Sequence, residues 1–328
     1  MTLFIASCSK DKATEQDQNN NNNEIKLVTL GDGSKSTVTL LEFVDVAHYE
    51  ATISSLETQM EQHEDAFLAA WSSLSDDALN AKEVEVGFVD HQPLINFETA
   101  YSIPVTLRQI YVALEAQWLN NEELVMESDP ALTYPFSAVE LTLLNADGMV
   151  KIGDDIIQLS KNGFILIANL DMETVIRIKN GDMTALEEPS VTTSIEGESG
   201  KSKGCINWKS REVEDPYASN KKVKKHVHFH SYPWKGVSEA DITSYKKSGS
   251  SWKKYKMDLG VANQSYFRDV NCNAGPQEWT GWKRKKAKSI SERVANWGAF
   301  PQYRAENGVS VIGYFEYDGK SNSLVLTW

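Results

Sequence analysis

Along residues 24–30 and 36–43, apolar and polar positions alternate with the period of a half-buried strand. Asp32-Gly33 lies between the two runs and suits a hairpin turn, because both residues tolerate positive φ. The period then lengthens. Tyr49, Ile53, Leu56, Met60, Phe67, Trp71 and Leu74 recur at helical steps and predict one buried helix face. Glu50, Glu57, Glu61, Glu64 and Asp65 fall mostly off that face, and His63 falls near it as a packed histidine. A second helix is expected over 104–119, with Ile103, Leu107, Ile110, Tyr111, Leu114 and Trp118 inward. Pro104 would sit in its first turn, where a missing N–H costs nothing. Ser128-Asp129-Pro130 breaks the pattern, and 137–144 reads as a short apolar helix. Short apolar runs around Val150, Ile152, Ile156 and Leu159 follow. Asn162-Gly163 is a second hairpin signal, 164–167 a buried strand, and Asp171 the cap of a last helix through Ile178.

Residues 187–204 are rich in Ser, Thr, Gly and acid and read as a linker. Beyond them short alternating runs recur at 223–231, 251–259, 265–270, 289–297 and 309–317. Asp318-Gly319 then turns the chain into a final strand carrying Leu324, Leu326 and Trp328. The expected fold is an α+β N-terminal domain over 24–186, followed by an all-β antiparallel sandwich or barrel over 205–328. Seven of the nine tryptophans lie in this second part: Trp208, Trp234, Trp252, Trp279, Trp282, Trp297 and Trp328.

Charge sharpens the division. The 328 residues carry a net charge of −13. Residues 1–200 hold 34 acidic against 10 basic side chains, and 201–328 hold 12 against 23. Such asymmetry implies two units with different partners, or two units that face each other.

Ile5-Ala6-Ser7-Cys8 has the form of a bacterial lipoprotein cleavage site, with Cys8 as the lipidated residue. Ser9-Lys10-Asp11-Lys12 and the asparagines 19–23 follow as a polar tether, so residues 1–23 read as a signal remnant and an Asn-rich linker. Only Met1-Thr2-Leu3-Phe4 lie ahead of Ile5, and none is basic, so the true start is expected to lie upstream. No apolar run reaches the ~18 residues that a membrane helix needs. The expectation is a protein held at the outer membrane or cell surface by its N-terminal lipid. Of the three cysteines, Cys205 and Cys272 then remain. In an oxidising compartment they could pair, and two separate buried thiols are the alternative.

A resemblance enters at this point. The helix ending in His63-Glu64-Asp65-Ala66-Phe67-Leu68-Ala69-Ala70-Trp71, then Asp129-Pro130, Leu143-Leu144-Asn145 and Ile152-Gly153-Asp154, resembles a group of uncharacterised Bacteroidota secreted lipoproteins. The likeness covers about residues 40–180 and the anchor. Met149-Val150 departs from the acidic-isoleucine pair expected after Gly148. The resemblance implies an envelope location and no activity.

Two patterns carry candidate chemistry. His226, His228 and His230 alternate with Val227 and Phe229, so on a strand all three imidazoles share one face. Neighbours ~7 Å apart along the strand can chelate one divalent metal, whereas the outer two, ~13 Å apart, can hardly share it. Asp241 or Glu239 could add a carboxylate. The alternative is a solvated strand face beside Lys221, Lys222, Lys224 and Lys225. The second pattern interleaves cations with aromatics: Trp234, Trp252, Tyr255, Trp279, Trp282, Lys283 and Arg284. Aromatic faces stack on sugar rings, and cations hold carboxylate or sulfate. This predicts contact with an anionic glycan or an envelope protein, and an envelope location argues against nucleic acid. Two alternatives compete with it: the inside and outside of a sandwich, and docking onto the acidic half.

Gly31-Asp32-Gly33-Ser34-Lys35-Ser36-Thr37 fails the phosphate-loop spacing, because Ser36 stands where the second glycine belongs. Gly-x-Ser-x-Gly, His-Glu-x-x-His and a paired-cysteine motif are absent, which points away from an enzyme. The expectation is non-enzymatic surface binding. A metal-dependent hydrolase built on the histidine strand is the alternative, and a purely structural envelope component is a third reading.

Overall fold

Alternation in the first two runs yields β1 (Lys26–Gly31) and β2 (Thr37–Phe43), paired antiparallel with Gly31 opposite Thr37. The structure is a computed structural model and describes residues 24–31, 36–121, 123–195, 209–268, 274–297 and 309–327. The expected turn at Asp32-Gly33 lies outside them. Val38 and Leu40 face one core from β2, and Leu41 and Phe43 face another.

α1 (Val46–Ala70) starts at Asp45, whose carboxylate accepts from the His48 N–H at 2.8 Å, and it buries Tyr49, Ile53, Leu56 and Phe67. The apolar stripe continues through Trp71 and Leu74, but the helix stops, and Ser75 caps α2 (Asp76–Val86). α3 (Gln92–Ala100) follows. Neither was visible as a period, since α2 buries only Leu79 and Glu83 and α3 is nine residues long. α4 (Leu107–Leu119) begins three residues later than Pro104 suggested, because the Thr106 hydroxyl caps Gln109 N–H at 3.2 Å. α5 (Pro130–Thr133) and α6 (Ala138–Leu143) come next. Ser137 and Glu140 close a reciprocal capping box at the start of α6.

β3 (Met149–Ile152), β4 (Asp155–Ser160) and β5 (Gly163–Ile167) form two hairpins with two-residue loops. Gly148, at φ 75°, enters β3; a Cβ there would lie 2.6 Å from the Leu159 carbonyl oxygen. α7 (Met172–Lys179) is capped by Asp171, as expected. β6 (Val191–Thr193) falls inside the stretch read as linker and pairs with β5 through a buried Val191. The six strands lie in the order β1-β2-β3-β4-β5-β6, with a core on each face.

The second part is a sandwich of two open antiparallel sheets. The first runs β7 (Lys209–Ala218), β8 (Lys221–Ser231), β9 (Lys235–Ser248). β10 (Ser251–Lys254) and β14 (Ser289–Trp297) share the far edge of β9. In the second, β12 (Ala274–Trp279) and β13 (Lys283–Ala287) share one edge of β11 (Met257–Arg268). β15 (Val309–Tyr317) and β16 (Lys320–Thr327) complete it. The chain switches sheets at Tyr255-Lys256 and again at Lys288. Val227, Phe229 and Ile242 of the first sheet close on Val261, Phe315 and Leu326 of the second. The Asp318-Gly319 turn between β15 and β16 has φ 47° and 70°, the positive pair of a tight hairpin. Among the described residues no helix is long and apolar enough to cross a membrane.

Candidate functional site

One face of β8 fills the sandwich, so the other presents Lys222, Lys224, His226, His228 and His230. Their neighbours in register are Glu212 on β7 and Asp241 on β9 for His226, and Ser210 and Glu239 for His228. This face is not solvated. The three histidines are 2 %, 4 % and 1 % exposed, because the N-terminal helices lie over them. The lid is held by charge. Lys224 Nζ is 2.6 Å from Asp129, Lys235 Nζ 2.8 Å from Glu50, Lys254 Nζ 2.8 Å from Glu115 and Lys256 Nζ 2.9 Å from Glu83. Lys288 Nζ lies 2.7 Å from Asp90, and Arg293 Nη2 2.9 Å from Glu140. The acidic and basic parts of the sequence therefore face each other across a buried seam.

Inside that seam the imidazoles stack, with ring centroids 4.7 Å apart for His226 and His228 and 5.5 Å for His228 and His230. His226 Nδ1 meets Asp241 Oδ2 at 2.8 Å. His226 Nε2, both ring nitrogens of His228 and His230, and both Glu212 oxygens have no hydrogen-bond partner among the described residues. The nearest charged approaches are Glu239 Oε2, 3.9 Å from His228 Nε2, and Lys224 Nζ, 3.6 Å from Glu212 Oε2. Buried polar atoms are usually satisfied, so this concentration of orphans is a distinctive feature.

Burial pulls the His226 imidazole down, but Asp241 and then Glu212 outweigh it, and its pKa ends above the usual value. Burial, then the flanking His226 and His230, holds His228 well below the usual range. His230 is lowered to about 3 by burial, with Glu140 opposing and Arg293 and Lys235 adding. Burial raises Glu212 to about 7 against the pull of Lys224. Burial also disfavours the Glu140 carboxylate, yet Arg293, His230, Lys235 and the Tyr232 hydroxyl together hold it far below the ordinary range.

Of the three histidines, the structure brings two to a carboxylate. One ligand atom each from His226, His228 and Asp241 lie within 4.8 Å of one another. His230 stands apart and packs edge-on against Phe136 at 5.0 Å and Tyr232 at 5.1 Å. Cys8, Cys205 and Cys272 lie outside the described residues.

The basic aromatic residues are divided between three places. Trp234 packs against the helical core and donates Nε1–H to Glu50 at 2.8 Å. Trp252 lies against the Trp118, Leu124 and Tyr245 cluster, with Lys222 Nζ 4.2 Å from its ring centroid. Tyr255 is buried and donates to Asp77 at 2.7 Å. These three belong to the seam. Lys283 lines a cleft of about 1060 Å³ between α1, α3, α4 and β14, which Glu57, Arg108, Lys254 and Arg293 also line. Trp279 and Trp282 remain 49 % and 37 % exposed on the outer side of the second sheet. Tyr314 joins them, 5.3 Å and 6.5 Å from the two tryptophan rings. Arg284 covers Trp282 at 4.7 Å and bonds Glu316 through Nε at 2.6 Å and Nη2 at 3.0 Å. That pair bridges Gly260, where a Cβ would lie 3.0 Å from Glu316, so the glycine keeps this surface flat.

Sequence reasoning did not find Tyr314, Glu212, Glu140 or Arg293. Glu212 mirrors His226 only once β7 is set in register with β8. Glu140 reads locally as a capping residue, and Tyr314 as one more aromatic in an alternating strand.

No family model matches the chain, and no curated protein matches it. A solved structure of a DUF4848 family protein from Bacteroides thetaiotaomicron aligns over 93 % of this chain and 100 % of its own. The identity is 12 % and the TM-score 0.20, too low to bear on fold or function.

Proposed function

We propose that this chain is a lipid-anchored envelope protein that binds an anionic glycan, without catalysis, through the outer face of the second sheet. The observation that carries the reading is the cluster of exposed Trp279 and Trp282 around half-buried Tyr314, beside Arg284, while the other marked aromatics serve the seam. Exposed indoles offer apolar faces for sugar rings. Glu316 fixes the Arg284 guanidinium through two nitrogens, which leaves the Nη1 donors for a carboxylate or sulfate oxygen. Cys8 would supply the anchor, and the asparagine tether would set the folded body away from the membrane. A hydrolase at the histidine strand is less well supported, because substrate would have to reach imidazoles that the N-terminal helices cover. Screening the purified chain against uronic, sulfated and neutral glycans at low and high salt tests the binding. Saturable binding to acidic glycans that weakens with salt supports it. Binding to none, or to neutral and acidic glycans alike, refutes it.

A further inference from the structure

We infer that His226, His228 and Asp241 bind one divalent transition-metal ion, zinc by its ligand chemistry, in the seam between the two parts of the chain. The inference is independent of the glycan reading, since the seam lies on the other sheet. It begins with the pleat. Residues two apart on β8 share a face, and the register of β8 with β9 sets Asp241 directly beside His226. The two rings stack on each other, centroids 4.7 Å apart and planes 24° apart.

The three donor atoms lie within 4.8 Å of one another. Ligands of a tetrahedral zinc at ~2.0–2.1 Å stand ~3.4 Å apart, so rotation of side chains alone can close the set. The second observation is the orphaned nitrogens. His226 Nε2 and both nitrogens of His228 are buried with no hydrogen-bond partner among the described residues. A fold rarely leaves so many imidazole lone pairs and N–H groups in the dry without something to bind. A metal ion satisfies the acceptor nitrogens that no neighbouring donor reaches.

The donor set also selects the metal. Two imidazoles with one carboxylate suit zinc or another late first-row ion, whereas magnesium and calcium require mostly oxygen ligands. Asp241 keeps 19 % of its side chain exposed and gives an ion a way in. Glu212, in register with His226 on the opposite strand, and water are the candidates for the fourth position. His230 is not a ligand, because it packs against Phe136 and Tyr232. Placed there, the ion ties β8 to β9 under the helical lid.

The test uses the full chain, stripped with chelator and dialysed against zinc chloride. One zinc per chain is expected, with no uptake of magnesium or calcium at the same concentration. Cobalt(II) in place of zinc should give the intense visible bands of a four-coordinate site. His228→Gln and Asp241→Asn should each weaken zinc binding at least 10-fold, while His230→Gln should leave one zinc bound. No zinc in the wild-type chain overturns the inference. So does zinc retained at full affinity in folded His228→Gln and Asp241→Asn, or lost in His230→Gln. Should the ligand variants fail to fold, wild-type stoichiometry, the cobalt spectrum and His230→Gln still decide the matter.

Discussion

Replacing Arg293 by leucine would remove the charge at the centre of the seam. Its Nη2 lies 2.9 Å from Glu140 and 3.0 Å from Glu239, whose side chains are 0 % and 7 % exposed, and its Nη1 lies 3.7 Å from Glu57. Deleting one partner of a buried pair typically costs ~3–5 kcal/mol, because the other charge stays buried without compensation. The Tyr232 hydroxyl and Lys235 still face Glu140, so a loss near the lower end, ~3 kcal/mol, is expected at pH 8. The pH dependence follows from the same group. Glu140 is depressed in the native protein, so its contribution is present above the unfolded glutamate pKa and is lost only as pH falls through its own low value. Without Arg293, burial dominates and the carboxyl takes up a proton more readily. Acid then relieves the variant, and its deficit against wild type should shrink between pH 8 and pH 5. Urea unfolding followed by tryptophan fluorescence at both values measures this. A deficit below ~1 kcal/mol at pH 8, or one that grows with acid, would refute a buried and ionised Glu140–Arg293 pair.

Three further outcomes are expected. His230 titrates at about 3 in the folded chain, so its contribution is complete above ~6.5 and falls away as the unfolded histidine protonates; His230→Phe should therefore flatten the stability loss between pH 8 and pH 5 by ~2 kcal/mol, read from urea midpoints at each pH. Gly148→Ala should destabilise by at least ~2 kcal/mol, because φ is 75° and the new Cβ meets the Leu159 carbonyl; an unchanged midpoint would show the turn to be looser than described. Ser137→Ala removes the capping hydroxyl of α6 and should cost ~1 kcal/mol in the same assay, less than Gly148→Ala.

Much of the fold was legible because burial and period coincide. Tyr49, Ile53 and Leu56 mark α1, Val227 and Phe229 mark the inner face of β8, and Asp318-Gly319 marks a turn that only two residues with positive φ make readily. The covered faces were not legible. β9 carries Glu239, Asp241 and Thr243 toward the seam, so a strand covered on both sides reads as polar and escapes the apolar signal. β7 was missed for the same reason, with Glu212 and Glu214 on its covered side. The histidine strand was visible as alternation, but its burial was not, because that depends on helices ~100 residues earlier in the chain. The charge imbalance between the two parts was visible in composition. The structure resolves it into specific pairs such as Lys224 with Asp129 and Lys256 with Glu83. Trp279 and Trp252 look alike in sequence, each beside lysines or threonine. Only the sheet to which each belongs separates an exposed indole from a packed one.

The most direct measurement is a calorimetric titration of the full chain with the acidic glycan that binds best in a screen, set against the double variant Trp279→Ala/Trp282→Ala. Stacking on one aromatic face is worth ~1–3 kcal/mol, or roughly 5- to 150-fold in affinity. The double variant should lose at least that much while its urea midpoint stays within ~0.5 kcal/mol of wild type, since both side chains are surface residues. Equal affinity in the two proteins would contradict recognition at this face.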